Sequence, residues 1–73
     1  MPAQVHNLQA VVNGAPMELP HGTTILDLLK ILEIGNVPVA VEQNLEIVRK
    51  TDYAQRIVSE GDNIEIVHFV GGG

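Results

Sequence analysis

The 73-residue sequence contains no cysteine and no tryptophan, with a single tyrosine and a single phenylalanine. Without cysteine, neither a disulfide nor a thiolate metal site can stabilise the fold, and any sulfur chemistry must use sulfur that is not in a side chain. His6, His21 and His68 fall on different predicted elements and form no pair at ligand spacing. We therefore expect no functional metal site, and we expect His68 to be a polar residue of the last strand.

Basic residues are also few, with four Lys and Arg against nine Asp and Glu and a net charge of −5. Nucleic-acid binding is not expected, because proteins that bind phosphates through counterion release need a basic patch. No apolar run approaches the roughly 20 residues that cross a bilayer, and the first residues lack the regions of a signal peptide. These absences predict a soluble cytoplasmic protein, not bound to membranes, with one domain over residues 1–73.

The first part of the sequence predicts a β-hairpin after a short disordered lead at residues 1–4. Apolar and polar residues alternate from Val5, and Asn13-Gly14 then gives the strongest short hairpin signal because both residues tolerate positive φ. Pro16 has no backbone N–H to donate, which places the return strand at a sheet edge.

A helix is predicted to follow the hairpin. Thr24 and Asp27 form a capping-box-like pair at its start. The apolar stripe at positions i, i+3, i+4 and i+7 consists of Ile25, Leu28, Leu29 and Leu32. Gly35 is the predicted left-handed residue that ends the helix, and Pro38 prevents its continuation.

Three further strands are predicted after the helix. The first has alternating Val37, Val39 and Val41, and a turn at Gln43-Asn44 joins it to a short strand over Leu45–Val48. A helical turn over Thr51–Gln55 follows, capped by Thr51 or Asp52 and with Tyr53 pointing inward. A tight turn at Glu60-Gly61-Asp62 then leads to the last strand, over Asn63–Phe69. In this interpretation, Gly61-Asp62 serves to reverse the chain.

This order of elements predicts an α+β fold, a β-grasp (ubiquitin-like) roll with a mixed four- to five-stranded sheet and one main helix on one face. In the last strand, Ile64 and Ile66 lie on one face, whereas Val67 and Phe69 lie toward the other. A strand that is apolar on both faces is usually central, but one helix covers only one face of a sheet. We therefore expect the last strand to be central, with Val67 and Phe69 at least partly exposed.

The apolar last strand leads directly into the terminal glycines Gly71, Gly72 and Gly73. From Phe69 to Gly73 an extended segment reaches at most about 16–18 Å, which is long enough to enter another protein's active site. Glycine can thread a narrow channel because it has no Cβ. ATP can convert the carboxylate of a terminal glycine to an acyl adenylate, and a sulfur nucleophile can then displace AMP to leave a thiocarboxylate. The alternative is a terminus without function, since chain ends are commonly disordered.

From Leu8 onward the sequence resembles the ThiS family of sulfur carriers. The residues that carry the resemblance are Asn13-Gly14, Thr23-Thr24-Ile25, Leu28-Leu29, Val39-Ala40-Val41-Glu42, Asn44, Ile47-Val48, Tyr53-Ala54, Gly61-Asp62 and Phe69-Val70-Gly71-Gly72-Gly73. Two departures are Arg49, where many members have proline, and an N-terminal lead slightly longer than that of the shortest members.

The resemblance implies a carrier in thiamine thiazole biosynthesis, with no bound cofactor. A ThiF-type adenylyltransferase would use ATP to adenylate Gly73, a donor such as a cysteine desulfurase or its relay would supply the sulfur, and the Gly73 thiocarboxylate would deliver it to a ThiG-type thiazole synthase. We predict that the docking patch consists of Val67, Phe69 and Val70 with the glycine tail. Acidic residues around the patch would set orientation more than affinity.

Other functions remain open at this stage. The small subunit of molybdopterin synthase has a similar fold and tail, although that family often carries Phe-Pro-Pro where this sequence has His68-Phe69-Val70. A non-catalytic β-grasp interaction module, or a ubiquitin-like modifier conjugated to lysines, is a further alternative. No nucleophile–base pair, phosphate loop or cofactor fingerprint is visible, so we interpret the chain as a co-substrate and not an enzyme.

Overall fold

A computed structural model describes residues 7–69 of the chain, so the predicted lead at residues 1–4 and the tail residues 70–73 lie outside the described part. The elements in chain order are β1 (Asn7–Val12), β2 (Ala15–Pro20), α1 (Ile25–Ile31), β3 (Val39–Gln43), β4 (Glu46–Val48), a 3-10 turn (Lys50–Asp52) and β5 (Asn63–His68).

The strands form one sheet in the order β2-β1-β5-β3-β4. β5 runs parallel to β1 and antiparallel to β3, so the sheet is mixed and its last strand is central, as the apolar pattern predicts. β2 lies at one edge of the sheet. This agrees with the prediction from Pro16, because proline has no backbone N–H to donate to a second neighbouring strand.

Both hairpin turns use residues with positive φ. Asn13 and Gly14 have φ of 51° and 83°, which confirms the turn predicted between β1 and β2. The turn between β3 and β4 is centred on Asn44 and Leu45, with φ of 53° and 70°, one residue later than predicted. Leucine rarely adopts this conformation because its Cβ crowds the following carbonyl oxygen, so Leu45 gives no turn signal in the sequence.

The start of α1 is confirmed, and its end differs from the prediction. Thr24 Oγ1 accepts a hydrogen bond from the Asp27 amide at 3.0 Å, and Asp27 Oδ2 accepts one from the Thr24 amide at 3.1 Å. The helix ends at Ile31, and the left-handed residue after its cap is Glu33, with φ of 58°. Gly35, at 68°, lies further along the connecting loop, so the prediction that Gly35 ends the helix is wrong.

Backbone hydrogen bonds explain the early helix end. The amide of Glu33 bonds to the carbonyl of Lys30, and the amide of Ile34 bonds to that of Leu29, both at 3.0 Å. These two bonds form a Schellman motif, in which an apolar residue after the left-handed position packs back on the helix. Ile34 is that residue, and it packs against the core.

The predicted helical turn is a single 3-10 turn that begins at Lys50. No side chain caps it, so the prediction that Thr51 or Asp52 is the cap is wrong. The turn begins one residue before Thr51, which places both candidates inside it, and the extended Arg49 precedes it. Tyr53 is buried, as predicted.

The hydrophobic core lies between α1 and one face of the sheet. Its fully buried large side chains are Leu8, Leu19, Ile25, Leu28, Val41, Val58 and Ile64. Leu29 of the predicted helix stripe is also buried, and Leu32 packs against this cluster. Within residues 7–69, no helix is long and apolar enough to cross a membrane.

Candidate functional site

The end of β5 is the part of the fold that leads to the glycine tail. β1 pairs with β5 only at Asn63 and Ile64, whereas β3 pairs with it as far as His68. The amide of Phe69 then donates to the carbonyl of Pro38 at 3.1 Å. The last residues before the tail are therefore positioned by β3 and the segment that precedes it.

Asn13 supports β5 where its pairing with β1 stops. The Asn13 amide donates to the carbonyl of Ile64 at 2.9 Å, and the Asn13 side-chain oxygen accepts from the amide of Ile66 at 2.8 Å. Sequence reasoning assigned Asn13 to the hairpin turn alone. The same left-handed conformation that makes the turn also directs the side chain to β5.

Asp62 anchors the beginning of β5. Its Oδ2 accepts hydrogen bonds from Gln43 Nε2 at 2.7 Å and from the Ser59 amide at 2.8 Å, and its Oδ1 accepts from Asn44 Nδ2 at 2.9 Å. Burial alone would raise the pKa of Asp62, but the three hydrogen bonds together outweigh it and hold the pKa below its ordinary value. The carboxylate therefore stays ionised in the folded protein at neutral pH.

The sequence predicts the turn at Gly61-Asp62 but not this network. The turn is confirmed, because Gly61 has φ of 82° and the Asp62 amide bonds to the Ser59 carbonyl. A signal for the buried role was available, since Gln43 continues the inward alternation of Val39 and Val41. A polar side chain at a core position needs a polar partner.

The sheet face opposite α1, which we call the outer face, exposes two large apolar side chains at the end of β5. Val67 is 57% exposed and Phe69 is 58% exposed, which confirms the predicted exposure. Ala40 lies directly opposite Val67 on β3 and extends the apolar surface. Val70 and the glycines Gly71, Gly72 and Gly73 lie outside the described residues, and the role of this surface in partner binding stays a prediction.

The charge on the outer face is negative. Glu42 on β3 lies directly opposite Glu65 on β5, two residues along each strand from Ala40 and Val67 and therefore on the same face. No strand of the described sheet contains Lys or Arg. Like charges directly opposite each other destabilise a sheet, so this pair costs the fold some stability.

The two described histidines lie on different parts of the fold. His21 is exposed in the turn after β2, and His68 is exposed at the end of β5, while His6 is outside the described residues. Among residues 7–69, no three His, Cys, Asp or Glu side chains are grouped so that they could hold a metal ion.

The described residues form a β-grasp domain of the ubiquitin-like class. Its mixed sheet has the last strand in the centre, one helix covers the sheet, and an exposed apolar patch lies where the last strand ends. Within this class, the family model for the ThiS family matches residues 10–73. The chain belongs to the ThiS family.

Individual relatives agree with this assignment. The chain is 44% identical over 63 residues to the sulfur carrier protein ThiS of Bacillus subtilis, covering 85% of this chain and 96% of that protein. It is 46% identical over 66 residues to a thiazole synthase of Paramagnetospirillum magneticum, covering 90% of this chain but only 20% of that protein. The chain thus spans about a fifth of the length of the thiazole synthases that it matches.

A solved structure also agrees with the fold. The crystal structure of the thiamine biosynthesis protein ThiS from Geobacter metallireducens matches with a TM-score of 0.75 and 29% identity. The match covers 90% of this chain and all of that chain. The predicted β-grasp fold is confirmed.

Proposed function

We propose that the chain is a sulfur carrier of thiamine thiazole biosynthesis that bears the sulfur as a thiocarboxylate on Gly73. The observation that carries this proposal is the extent of the family match, which runs from residue 10 through the glycines to residue 73. The chain is then a protein co-substrate. The cytoplasm is the compartment we propose, since it supplies the ATP for activation.

The proposed chemistry takes place on the main chain. The Gly73 carboxylate attacks the α-phosphorus of ATP in a ThiF-type adenylyltransferase, which forms an acyl adenylate and releases pyrophosphate. Hydrosulfide then displaces AMP and leaves the thiocarboxylate directly. Where a cysteine desulfurase or its relay supplies the sulfur as a persulfide, the persulfide displaces AMP to form an acyl disulfide, and a thiol reduces this disulfide to the thiocarboxylate. The carrier itself contributes an unhindered carboxylate and a tail narrow enough to enter the active site. It needs no cofactor of its own for these steps.

Thiazole synthase is the proposed acceptor. Two thiazole synthases contain a region 42–46% identical to this chain, which accounts for about a fifth of their length. A carrier-like region joined to the enzyme that consumes the sulfur favours delivery of sulfur from this chain to a thiazole synthase. These relatives support thiazole synthesis over molybdopterin synthesis as the pathway.

The outer face is the proposed docking surface for the adenylyltransferase. Val67 and Phe69 would bury apolar area against the enzyme, together with Val70, while the Glu42–Glu65 pair would receive a cationic side chain. β5 joins this surface directly to the tail. Docking at the outer face would therefore orient Gly71, Gly72 and Gly73 toward the nucleotide.

A transfer assay tests the proposal. The carrier is incubated with its adenylyltransferase, ATP, hydrosulfide and thiazole synthase, and thiazole formation is measured for the full chain and for a variant without Gly73. We expect no product from the truncated chain and an unchanged melting temperature. A chain without residues 1–4, which lie outside the family match, serves as the matched control and should retain full transfer. Transfer by the variant without Gly73 would rule out the terminal-carboxylate mechanism.

A further inference from the structure

A cavity of about 630 Å³ lies on the helix side of the sheet, away from the outer face. It is bounded by α1, by the segment of residues 33–38 before β3 together with Val39 at the start of β3, and by the 3-10 turn with the following Tyr53. Its volume falls within the range of about 300–1,000 Å³ that is typical of small-molecule sites. Neither Val67 nor Phe69 lines it, so the cavity is separate from the proposed docking surface.

The walls of the cavity are mainly apolar, but two lysines stand on different elements around it. Lys30 comes from α1 and Lys50 from the 3-10 turn. Within residues 7–69, the one ion pair joins Arg56 and Glu46 at 3.9 Å, so neither cavity lysine is paired there with a carboxylate. Glu33 also lines the cavity, which leaves a net charge of +1 in a chain with a net charge of −5.

Tyr53 supplies a second, independent observation. Its side chain lines the cavity, and its ring is buried. Its hydroxyl makes no hydrogen bond to any group in the described part of the chain, and the hydroxyl oxygen is accessible rather than fully buried, so it can donate to a bound molecule. Burial raises the pKa of Tyr53, so the hydroxyl keeps its proton at neutral pH and remains available as a donor.

We propose that this cavity binds a small apolar anion, a molecule with a hydrocarbon or aromatic body and one anionic head group. The body would pack against apolar side chains of α1 and the connecting segment, such as Leu29 and Val37. The head group would accept hydrogen bonds from Lys30, Lys50 and the Tyr53 hydroxyl. The two ammonium groups can only donate, and the Tyr53 hydroxyl can donate as well, which suits an anion and leaves a neutral apolar molecule without the polar contacts.

The proposal is tested with 2-naphthoate as the probe and 2-naphthamide as its neutral counterpart. Amide chemical shifts of the full chain are followed by NMR during each titration. We expect 2-naphthoate to shift the resonances of residues 29–30, 35–37 and 53, with saturation, and 2-naphthamide to bind at least several-fold more weakly. Equal affinity for the two compounds would show a merely apolar cleft and would overturn the proposal, as would shifts confined to the outer face.

Single substitutions locate the site. Lys30→Gln and Lys50→Gln should each weaken 2-naphthoate binding roughly 3- to 10-fold, because each removes a charge-assisted hydrogen bond. Arg49→Gln removes a neighbouring cation that does not line the cavity and should leave the affinity unchanged. If the Arg49 variant loses as much affinity as the lysine variants, the affinity depends only on the net charge of the protein, and the proposed site is wrong.

Tyr53→Phe separates ligand binding from structure. It keeps the buried ring and removes a hydroxyl that makes no hydrogen bond within residues 7–69. We expect weaker 2-naphthoate binding and an unchanged melting temperature. Unchanged binding would remove the hydroxyl from the site, and a lowered melting temperature would show that the hydroxyl has a structural partner, so either result contradicts the proposal.

Discussion

Gln43 Nε2 donates a 2.7 Å hydrogen bond to Asp62 Oδ2, and this buried contact joins the end of β3 to the residue that precedes β5. Gln43 also donates to the carbonyl of Ile57 at 3.0 Å. The two residues therefore connect the central pair of strands to the segment before the last turn. Their network sets the position from which β5 runs to the tail.

The first prediction concerns this network. Asp62→Asn keeps the size of the side chain but replaces an acceptor oxygen with an NH₂ group, which faces donors on Gln43, Asn44 or Ser59. We expect a loss of about 1–3 kcal/mol in the free energy of unfolding, measured by urea denaturation. Asp52→Asn is the control, because the Asp52 side chain makes no hydrogen bond in the described structure. Equal losses in the two variants would contradict the network's role.

The same variant should change the pH dependence of stability. The pKa of Asp62 is lowered in the folded state, so the unfolded chain takes up this proton first as the pH falls. The contribution of Asp62 is therefore fully present above the unfolded pKa of about 3.9 and is lost as the pH falls through the folded pKa. Asp62→Asn should lose less stability than the parent on acidification below about pH 4. If the free energy of unfolding falls equally with pH in the parent and in Asp62→Asn, Asp62 does not cause the loss of stability in acid.

The second prediction concerns the end of α1. Glu33 has φ of 58° at the left-handed position of the Schellman motif, where glycine has no Cβ to crowd the backbone. We expect Glu33→Gly to raise the free energy of unfolding by about 0.5–1 kcal/mol in urea denaturation. Lys30→Gly, within the helix, should instead lower it by about 1 kcal/mol. A destabilised Glu33→Gly protein would mean that the Glu33 side chain has a role that its geometry does not show.

The third prediction concerns the apolar patch on the outer face. Phe69→Asp should strongly reduce the rate of adenylation by the ThiF-type enzyme, because it places a charge in the proposed interface. Its melting temperature should stay close to that of the parent, since the side chain is 58% exposed. Leu45→Asp is the matched control, as Leu45 is 85% exposed on the turn between β3 and β4. Normal adenylation of Phe69→Asp, or its unfolding, would contradict the proposed anchor.

The fourth prediction concerns the opposed carboxylates. Glu65→Gln removes the repulsion with Glu42 and should raise the free energy of unfolding by about 0.2–1 kcal/mol. The same change should raise the KM of the adenylating enzyme for the carrier, because a cationic contact is lost. Glu18→Gln is the control, since Glu18 lies opposite the neutral Gln9. A more stable Glu65→Gln carrier with an unchanged KM would leave the pair without a role in docking.

Elements with strong local signals could be predicted from the sequence. Asn13-Gly14, the Thr24–Asp27 capping box and the edge position of Pro16 each depend on backbone geometry within a few residues, and the structure confirms all three. The exposure of Val67 and Phe69 followed from alternation in a strand with one covered face.

The features that were missed depend on contacts between distant residues or on residues in unusual conformations. The hydrogen bond from Ile66 to Asn13 spans 53 positions, and that from Gln43 to Asp62 spans 19, so neither leaves a local pattern. Glu33 and Leu45 adopt positive φ although their residue types do not favour it. The patch could be predicted as an exposed surface, but the charge pair Glu42–Glu65 needed the strand register.

Thiocarboxylate formation on Gly73 can be measured as the intact mass of the full chain before and after incubation with ATP, hydrosulfide and the ThiF-type enzyme. We expect a gain equal to one oxygen replaced by sulfur, found in the peptide that ends at Gly73 and abolished when ATP is omitted. An unchanged mass with an enzyme that demonstrably adenylates another member of the family would contradict this expectation. The chain would then be better explained as a β-grasp interaction module.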